Sequence, residues 1–256
     1  PSCVDGRLQP NEVTRGKDGA SERELHRRAV AHRHKVARPP GFVTLELADP
    51  PGPQRRQPPL INYPSTNVHV DPTGWRINGK SAALTTFATP DTAEPPGATL
   101  YTVGQHHGAD ELINVLGADY RGVVSTDRGP EYRSKKLKGW KWQKCTGHIK
   151  KNVKEVLEHK SNVARDFGEH LTELLDEARQ LHRDWHDGHR RGYRAKVAAL
   201  EGRVSVHLRT RKLTDPDNQR LLDGIGREHA AGSLLRFLHD PTLSPNNYLA
   251  ERQLRP

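Results

Sequence analysis

The sequence has 256 residues, of which 33% are hydrophobic, and a mean hydropathy of -0.86, so a core can form over only part of its length. Lysine and arginine number 41 against 31 aspartate and glutamate, a formal charge of +10. This excess favours a polyanionic partner, most often nucleic acid, over a basic soluble protein without such a partner. No apolar run approaches the roughly 18–20 residues of a membrane span. The two cysteines exclude a disulfide framework and fit a reducing cytoplasm.

Residues 1–62 are rich in proline, arginine and histidine, and include the stretch "DPPGPQRRQPP". Proline at this density prevents a central strand or a helix interior, so we expect a poorly ordered segment. One strand-like run at residues 42–47 interrupts it. The sequence begins with Pro1 and contains no methionine. We therefore expect the chain to be a fragment of a longer protein.

Strand-like segments follow from residue 67 onwards. Residues 67–77 alternate apolar and polar side chains, and residues 81–89 and 98–103 are two further strand candidates. Residues 108–117 place apolar side chains on one helix face between two glycines, and residues 121–127 form a short buried-type strand. Three strands, a helix and another strand predict an α/β core.

Amphipathic helices are predicted after residue 150. Apolar faces run from Phe167 to Trp185, from Tyr193 to Val204, and from Leu221 to Leu238, a pattern typical of packing scaffold. A last, two-turn helix over residues 248–254 follows Pro245, Asn246 and Asn247, which are turn and N-cap residues. A helix this short is unstable alone, so we expect it to dock on an upstream element.

Three acidic residues have positions that suggest chemistry. Asp71 lies near the end of the first predicted strand, Asp127 at the end of the fourth, and Glu251 on the last helix. Clustered carboxylates raise one another's pKa unless cations neutralise them, and hard oxygen ligands select Mg²⁺ or Mn²⁺. Two such ions about 4 Å apart can support an in-line phosphoryl displacement. By pattern alone, a turn or cap role is more common for an aspartate at a strand end.

A family resemblance extends over roughly residues 66–256. It is carried by four segments in order, "VHVDPTGWRINGKSA", "GADYRGVVSTDRGPEY", "QKCTGHI" and "FLHDPTLSPNNYLAERQLRP". Together they resemble the catalytic domain of transposases of the insertion sequence 66 family, within the DDE superfamily of ribonuclease-H-like fold. The resemblance implies that Asp71, Asp127 and Glu251 form the catalytic triad and bind two Mg²⁺ (or Mn²⁺) ions.

The resemblance also implies a domain organisation. We expect ribonuclease-H-like core strands and a first helix over residues 63–150, and an all-helical insertion over residues 151–240. Residues 241–256 are expected to form the catalytic helix that returns to the core, cut short by the end of the chain. The predicted fold class is therefore α/β, a ribonuclease-H-like mixed sheet with a helical insertion.

Residues 128–154 hold ten lysines and arginines against one acid, Glu131. Such a run can be a solvated face, but its place beside Asp127 favours a DNA track that contacts phosphates without reading sequence. The candidate DNA-binding residues are Lys135, Lys136, Lys138, Lys141, Lys144 and Arg252.

Three further side chains could support the carboxylates. Trp75 is either a core residue or a base-stacking residue. Cys145 and His148 form a lone Cys-x-x-His pair, and a structural zinc site needs about four ligands. Packing, or contact beside the active site, is therefore favoured over metal binding for this pair.

The predicted function is metal-dependent phosphodiester cleavage at a transposon end, followed by strand transfer by the freed 3′-hydroxyl. The expected partners are double-stranded DNA (transposon ends and target) and, in the active assembly, further copies of the chain, without a membrane. The expected location is the bacterial cytoplasm, at the nucleoid. Two alternatives stay open: a nuclease on the same fold, and a non-catalytic DNA-binding remnant. The chain by itself is not expected to complete transposition.

Overall fold

The structure is a computed structural model in which the described residues are 67–91, 97–104 and 107–253. The N-terminal segment 1–62 and its predicted strand at 42–47 lie outside the described residues. No helix in the described part of the chain is both long and apolar enough to cross a membrane.

Five strands form one mixed sheet in the order β3-β2-β1-β4-β5. β1 pairs antiparallel with β2, and β2 antiparallel with β3, whereas β4 pairs parallel with both β1 and β5. This order and these directions are those of a ribonuclease-H-like core, and the predicted fold class is confirmed. The strands are β1 (Asn67–Ile77), β2 (Lys80–Ala88), β3 (Thr99–Gly104), β4 (Val123–Thr126) and β5 (Lys141–Lys144).

β1 and β2 form a hairpin that extends beyond the rest of the sheet. Their two-residue turn is Asn78–Gly79, both with positive φ (50° and 77°), as hairpin turns favour. β1 pairs with β4 only as far as His69, and beyond that point it has β2 alone as a strand partner. A proline is tolerated on such an edge, which is why β1 continues through Pro72 to Ile77. The expectation that Asp71 lies near the end of this strand is therefore wrong.

Seven helices accompany the sheet: α1 (Ala109–Leu116), α2 (Thr146–Leu157), α3 (Val163–His186), α4 (Tyr193–His207), α5 (Pro216–Ala230), α6 (Arg236–His239) and α7 (Tyr248–Gln253). The predicted helical faces after residue 160 are confirmed, with one difference. The third predicted helix is two helices, because Gly232 has a left-handed φ of 65° after α5 ends. Helix α2, within the basic stretch, was not expected from the sequence.

The two faces of the sheet lie against different cores. Val68 and Val70 of β1 and Val124 of β4 belong to a cluster with α1. A second cluster joins helices α2 to α6 through residues such as Ile149, Leu171, Leu175, Leu200, Ile225 and Leu238. Because side chains alternate along a strand, Asn67 and His69 point away from the α1 side. The sheet thereby turns a polar strip toward the face on which α7 lies.

Candidate active site

Asp71 and Asp127 leave the sheet at the same level. The last parallel pair between β1 and β4 is His69 with Ser125, and each aspartate lies two residues further along its own strand direction. Because side chains alternate with a period of two, both aspartates continue the face of His69 and Ser125. Neighbouring strands are about 4.8 Å apart. The register alone therefore brings the two carboxylates side by side.

Glu251 reaches this face from helix α7, which packs on β1 and β2. The hydroxyl of Tyr101 on β3 donates to the carbonyl of Gln253 at 2.7 Å and holds the far end of the helix. Ala250 is fully buried beside Glu251. The docking partner expected for this short helix is thus the sheet that carries Asp71.

Asn247, the residue before α7, bonds to β1 with both ends of its side chain. Its Nδ2 donates to the carbonyl of Val70 at 2.8 Å, and its Oδ1 accepts from Nδ1 of His69 at 3.2 Å. Nε2 of His69 in turn accepts from Nδ2 of Asn67 at 3.2 Å. His69 must be neutral for this arrangement, and its burial lowers its pKa to about 4.

The same loop is also attached to the start of α2. The carbonyl of Pro245 accepts from the backbone N–H of Thr146 at 2.9 Å, and Oδ1 of Asn246 accepts from the N–H of Gly147 at 3.1 Å. A Cβ at Gly147 would lie 2.9 Å from the hydroxyl of Tyr248, so the close approach of the loop requires glycine there. Two anchors, on β1 and on α2, thus fix where α7 begins.

The electrostatics of Asp71 reflect its acidic neighbours. Burial, followed by the charges of Glu251 and Asp127, raises the pKa of Asp71 to about 6, against the opposing effect of His148. An ionised Asp71 is therefore disfavoured in the folded chain without a cation. A cluster of hard oxygen donors with this property fits Mg²⁺ or Mn²⁺.

The turn that carries Asp127 is held by a buried lysine. Nζ of Lys144 donates to the carbonyl of Asp127 at 3.0 Å and to Oγ1 of Thr126 at 2.9 Å, and lies over the rings of Tyr132 and Trp142. Lys144 is 3% exposed, and its burial lowers its pKa to about 8. The prediction that Lys144 contacts DNA is wrong, because its ammonium is enclosed and already used by the turn.

The other candidate DNA-binding residues lie on the surface: Lys135, Lys136, Lys138, Lys141 and Arg252 are all exposed. Lys136 makes an ion pair with Asp110 on α1, with 2.7 Å between Nζ and each carboxylate oxygen. Its charge is thereby partly neutralised within the chain. These residues follow Asp127 along the chain through two short 3₁₀ turns into β5.

Trp75 lies on the protruding β1–β2 hairpin and is 53% exposed. The interpretation of Trp75 as a core residue is therefore wrong. Its neighbour Ile77 is also exposed, at 42%.

Cys145 and His148 lie beside the last member of the acidic group. Sγ of Cys145, a ring nitrogen of His148 and a carboxylate oxygen of Glu251 all lie within 4.8 Å of one another. Among the described side chains no group of three built on Asp71 and Asp127 is as compact. The polar contact with the side chain of Cys145 raises the pKa of His148 to about 9.

Two functional features of the sequence were underestimated. Asn246 and Asn247 were expected to act as turn and cap residues, whereas their side chains bond to α2 and β1. His69 was not singled out at all. The signal that could have found it is its parity: two residues before Asp71, it faces the same side of the strand.

The fold and these contacts define a ribonuclease-H-like α/β protein with carboxylates where two parallel strands separate. The model of the Transposase IS66 family matches residues 62–256. The chain belongs to this family, as the resemblance predicted. No curated protein matches the chain.

Among solved structures, the chain is similar to one from the cryo-electron microscopy structure of the simian T-cell lymphotropic virus intasome in complex with PP2A regulatory subunit B56 gamma. The identity is 16%, the alignment covers 46% of this chain and 52% of that chain, and the TM-score is 0.25.

Proposed function

We propose that the chain is the catalytic domain of a DNA transposase, which cleaves a phosphodiester bond at a transposon end and joins the freed 3′-hydroxyl to target DNA. The observation that carries this proposal is the register of β1 and β4. With His69 paired to Ser125, Asp71 and Asp127 leave the sheet at one level and on one face. Membership of a transposase family supports the same chemistry.

Each of the three carboxylates has a different attachment. Asp71 belongs to a continuous strand, Asp127 to a turn supported by Lys144, and Glu251 to a docked helix. We propose that these residues hold two Mg²⁺ or Mn²⁺ ions. When bound, such ions activate a water or hydroxyl nucleophile and stabilise charge on the phosphate oxygens. The raised pKa of Asp71 shows that the chain's own carboxylates lack sufficient neutralising charge.

The exposed basic residues are proposed to place double-stranded DNA across this face. Lys135, Lys138 and Lys141 follow Asp127 in the chain and keep their side chains in solvent. Arg252 adjoins Glu251 and is also exposed. Phosphate contacts by these residues would position either strand without reading its sequence. Trp75, exposed on the hairpin, is proposed to stack on a base.

The proposal retains the expected organisation, with a core over residues 63–150, an insertion over 151–240 and the catalytic helix in 241–256. The helices α2 to α6 share their own core, as an insertion requires. The active assembly is proposed to contain several copies of the chain and to act at the nucleoid.

The test is a cleavage assay with purified chain, Mg²⁺ or Mn²⁺, and DNA carrying candidate transposon ends. Asp71→Asn, Asp127→Asn and Glu251→Gln should each lower the rate of metal-dependent nicking by at least about 100-fold. Glu173→Gln, at a glutamate whose side chain is 77% exposed on α3, is the matched control and should leave the rate unchanged.

The alternatives predict other results in the same assay. Metal-dependent cutting that never yields joined donor–target products, even with further copies and target DNA supplied, would identify a nuclease. Salt-sensitive DNA binding with no cutting in either metal would identify a non-catalytic DNA-binding protein. Nicking that survives all three carboxylate substitutions would place the chemistry elsewhere.

A further inference from the structure

Cys145, His148 and Glu251 come together from two places in the chain. Cys145 immediately precedes α2, and His148 lies three residues later, in the first turn of that helix. A spacing of three places both side chains on one helix face. Glu251 reaches this face from α7, with its Oε1 3.7 Å from Nδ1 of His148.

Two atoms of this cluster are buried without a partner. Nδ1 of His148 and Oε1 of Glu251 make no hydrogen bond to the described part of the chain. Their separation of 3.7 Å exceeds a hydrogen bond. It equals the distance between two ligands of a tetrahedral ion, which is roughly 3.3–3.8 Å when each ligand lies about 2.0–2.3 Å from the metal. A shared cation would remove the cost of leaving both atoms unsatisfied.

The third member is prepared to act as a thiolate. Cys145 is 2% exposed, and its Sγ accepts a hydrogen bond from the backbone N–H of Asn247 at 3.2 Å. An N–H donor beside a sulfur stabilises negative charge there and orients the ligand, as the outer partners of metal sites do. A set of one sulfur, one nitrogen and one oxygen donor suits Zn²⁺ and is poorly matched to Mg²⁺.

We propose that Cys145, His148 and Glu251 form a zinc-binding site with its fourth position open to water, separate from the site of the catalytic ions. A zinc ion there would hold Glu251 away from Asp71 and Asp127. Zinc is thus an inhibitor that competes for one carboxylate. The inhibition rests on the proposed function, whereas the binding itself does not.

Binding is tested first, without DNA. Titration of the full 256-residue chain with Zn²⁺ in a calorimeter should show one high-affinity site per chain. With Co²⁺ in its place, thiolate-to-metal charge transfer should appear in the near ultraviolet. Cys145→Ser should remove that band and lower zinc affinity by at least about tenfold. Cys3→Ser removes the other cysteine and is the matched control, with both signals retained.

Two further variants keep the test decisive. His148→Gln, at a side chain that is 37% exposed, lowers zinc affinity even where Cys145→Ser disturbs folding. Asp71→Asn keeps zinc affinity, because Asp71 is not one of the three ligands. Zinc affinity that survives both Cys145→Ser and His148→Gln, or that is lost with Asp71→Asn, overturns the proposal.

Inhibition is measured separately, as the ratio of nicking rates with and without one equivalent of Zn²⁺ in excess Mg²⁺. Zinc should slow the wild-type chain and have a smaller effect on Cys145→Ser and His148→Gln, each compared with its own rate in Mg²⁺ alone. Equal slowing in all three chains overturns the inhibitory role. A chain that binds zinc as described yet never nicks DNA would contradict the proposed function and leave the zinc site standing.

Discussion

The side-chain amide of Asn247 donates a hydrogen bond to the backbone carbonyl of Val70 at 2.8 Å. Val70 is the residue before Asp71, and Asn247 lies one helical turn before Glu251, whose N–H bonds back to the Asn247 carbonyl at 3.4 Å. A single contact between buried groups therefore sets the distance between a strand carboxylate and a helix carboxylate. Asn247 acts here as a positioning residue.

Asn247→Ala should detach α7 from the sheet. The substitution leaves the carbonyl of Val70 and the ring N–H of His69 buried without partners, at a cost of about 1–3 kcal/mol each. We expect metal-dependent nicking to fall at least about tenfold while DNA affinity is kept. Hydrogen exchange should accelerate in α7 and stay unchanged in α3 and α4. The same change at the exposed Asn152 on α2 is the control. Unaltered exchange in α7 would show that Asn247 does not hold the helix.

Asp71→Asn should have opposite effects on stability with and without metal. The pKa of Asp71 is raised from 3.8 to about 6, so the folded chain binds that proton more tightly than the unfolded chain. The resulting stability is present below pH 3.8 and is lost as the pH rises through 6. At pH 7.5 without metal, the variant should therefore be more stable than wild type by about 1–2 kcal/mol.

In millimolar Mg²⁺ or Mn²⁺ the order should narrow or reverse, because wild type gains binding energy that the variant has lost. Denaturant unfolding with EDTA and with metal measures both quantities. Glu173→Gln serves again as the exposed control. Equal metal stabilisation of wild type and Asp71→Asn would remove Asp71 from the metal site.

The salt dependence of DNA binding should separate the surface lysines from Lys144. Replacing Lys135, Lys136 and Lys138 with alanine should flatten the slope of log affinity against log salt by about two units, since Lys136 is already paired with Asp110. Lys144→Ala should leave the slope unchanged, because its ammonium is enclosed.

Two controls accompany this measurement. Replacing the exposed Arg194 and Lys196 on α4 tests whether any loss of positive charge has the same effect. Lys144→Ala is expected to lower the free energy of unfolding instead, because the carbonyl of Asp127 loses its donor. A slope unchanged by the triple substitution would locate DNA on another surface.

Acid should destabilise the chain partly through His69. Its pKa falls from 6.5 to about 4 in the folded state, so its contribution to stability is present above pH 6.5 and is lost as the pH falls toward 4. That contribution is about 1–3 kcal/mol. His69→Gln should lower stability at pH 7 and lose less of the remainder between pH 6.5 and 4 than wild type does. His159→Gln, at an exposed histidine, should follow the wild-type curve in urea unfolding.

Local patterns in the sequence account for much of the sheet and for its two aspartates. Alternation identifies β1 to β4, and the parity of Asp71 is readable from the strand itself. Lys144 was misjudged because a run of lysines shows no difference between members, whereas the fold buries one of them under two rings. Helix α2 was missed because its buried side, including Ile149 and Val153, is interrupted by charged residues.

The contacts of Asn247 could not be read from local sequence. Its partner Val70 is 177 positions away, and its own segment reads equally well as an ordinary helix cap. Only the completed sheet and helical layer define where that side chain points. The zinc-binding cluster has the same origin, since Cys145 and His148 are neighbours in sequence but Glu251 reaches them through the fold.

The two anchors of α7 also bear on the order in which the molecule folds. The bonds between Asn246 and the start of α2 join positions 99 or 100 apart, across the whole helical layer. Loop closure over such a span is slow unless the intervening helices have already packed on their own core. The sheet and the helical layer can therefore be complete while Glu251 is still absent from its place. Cutting ability is the last property this chain acquires as it folds and the first it loses as it opens.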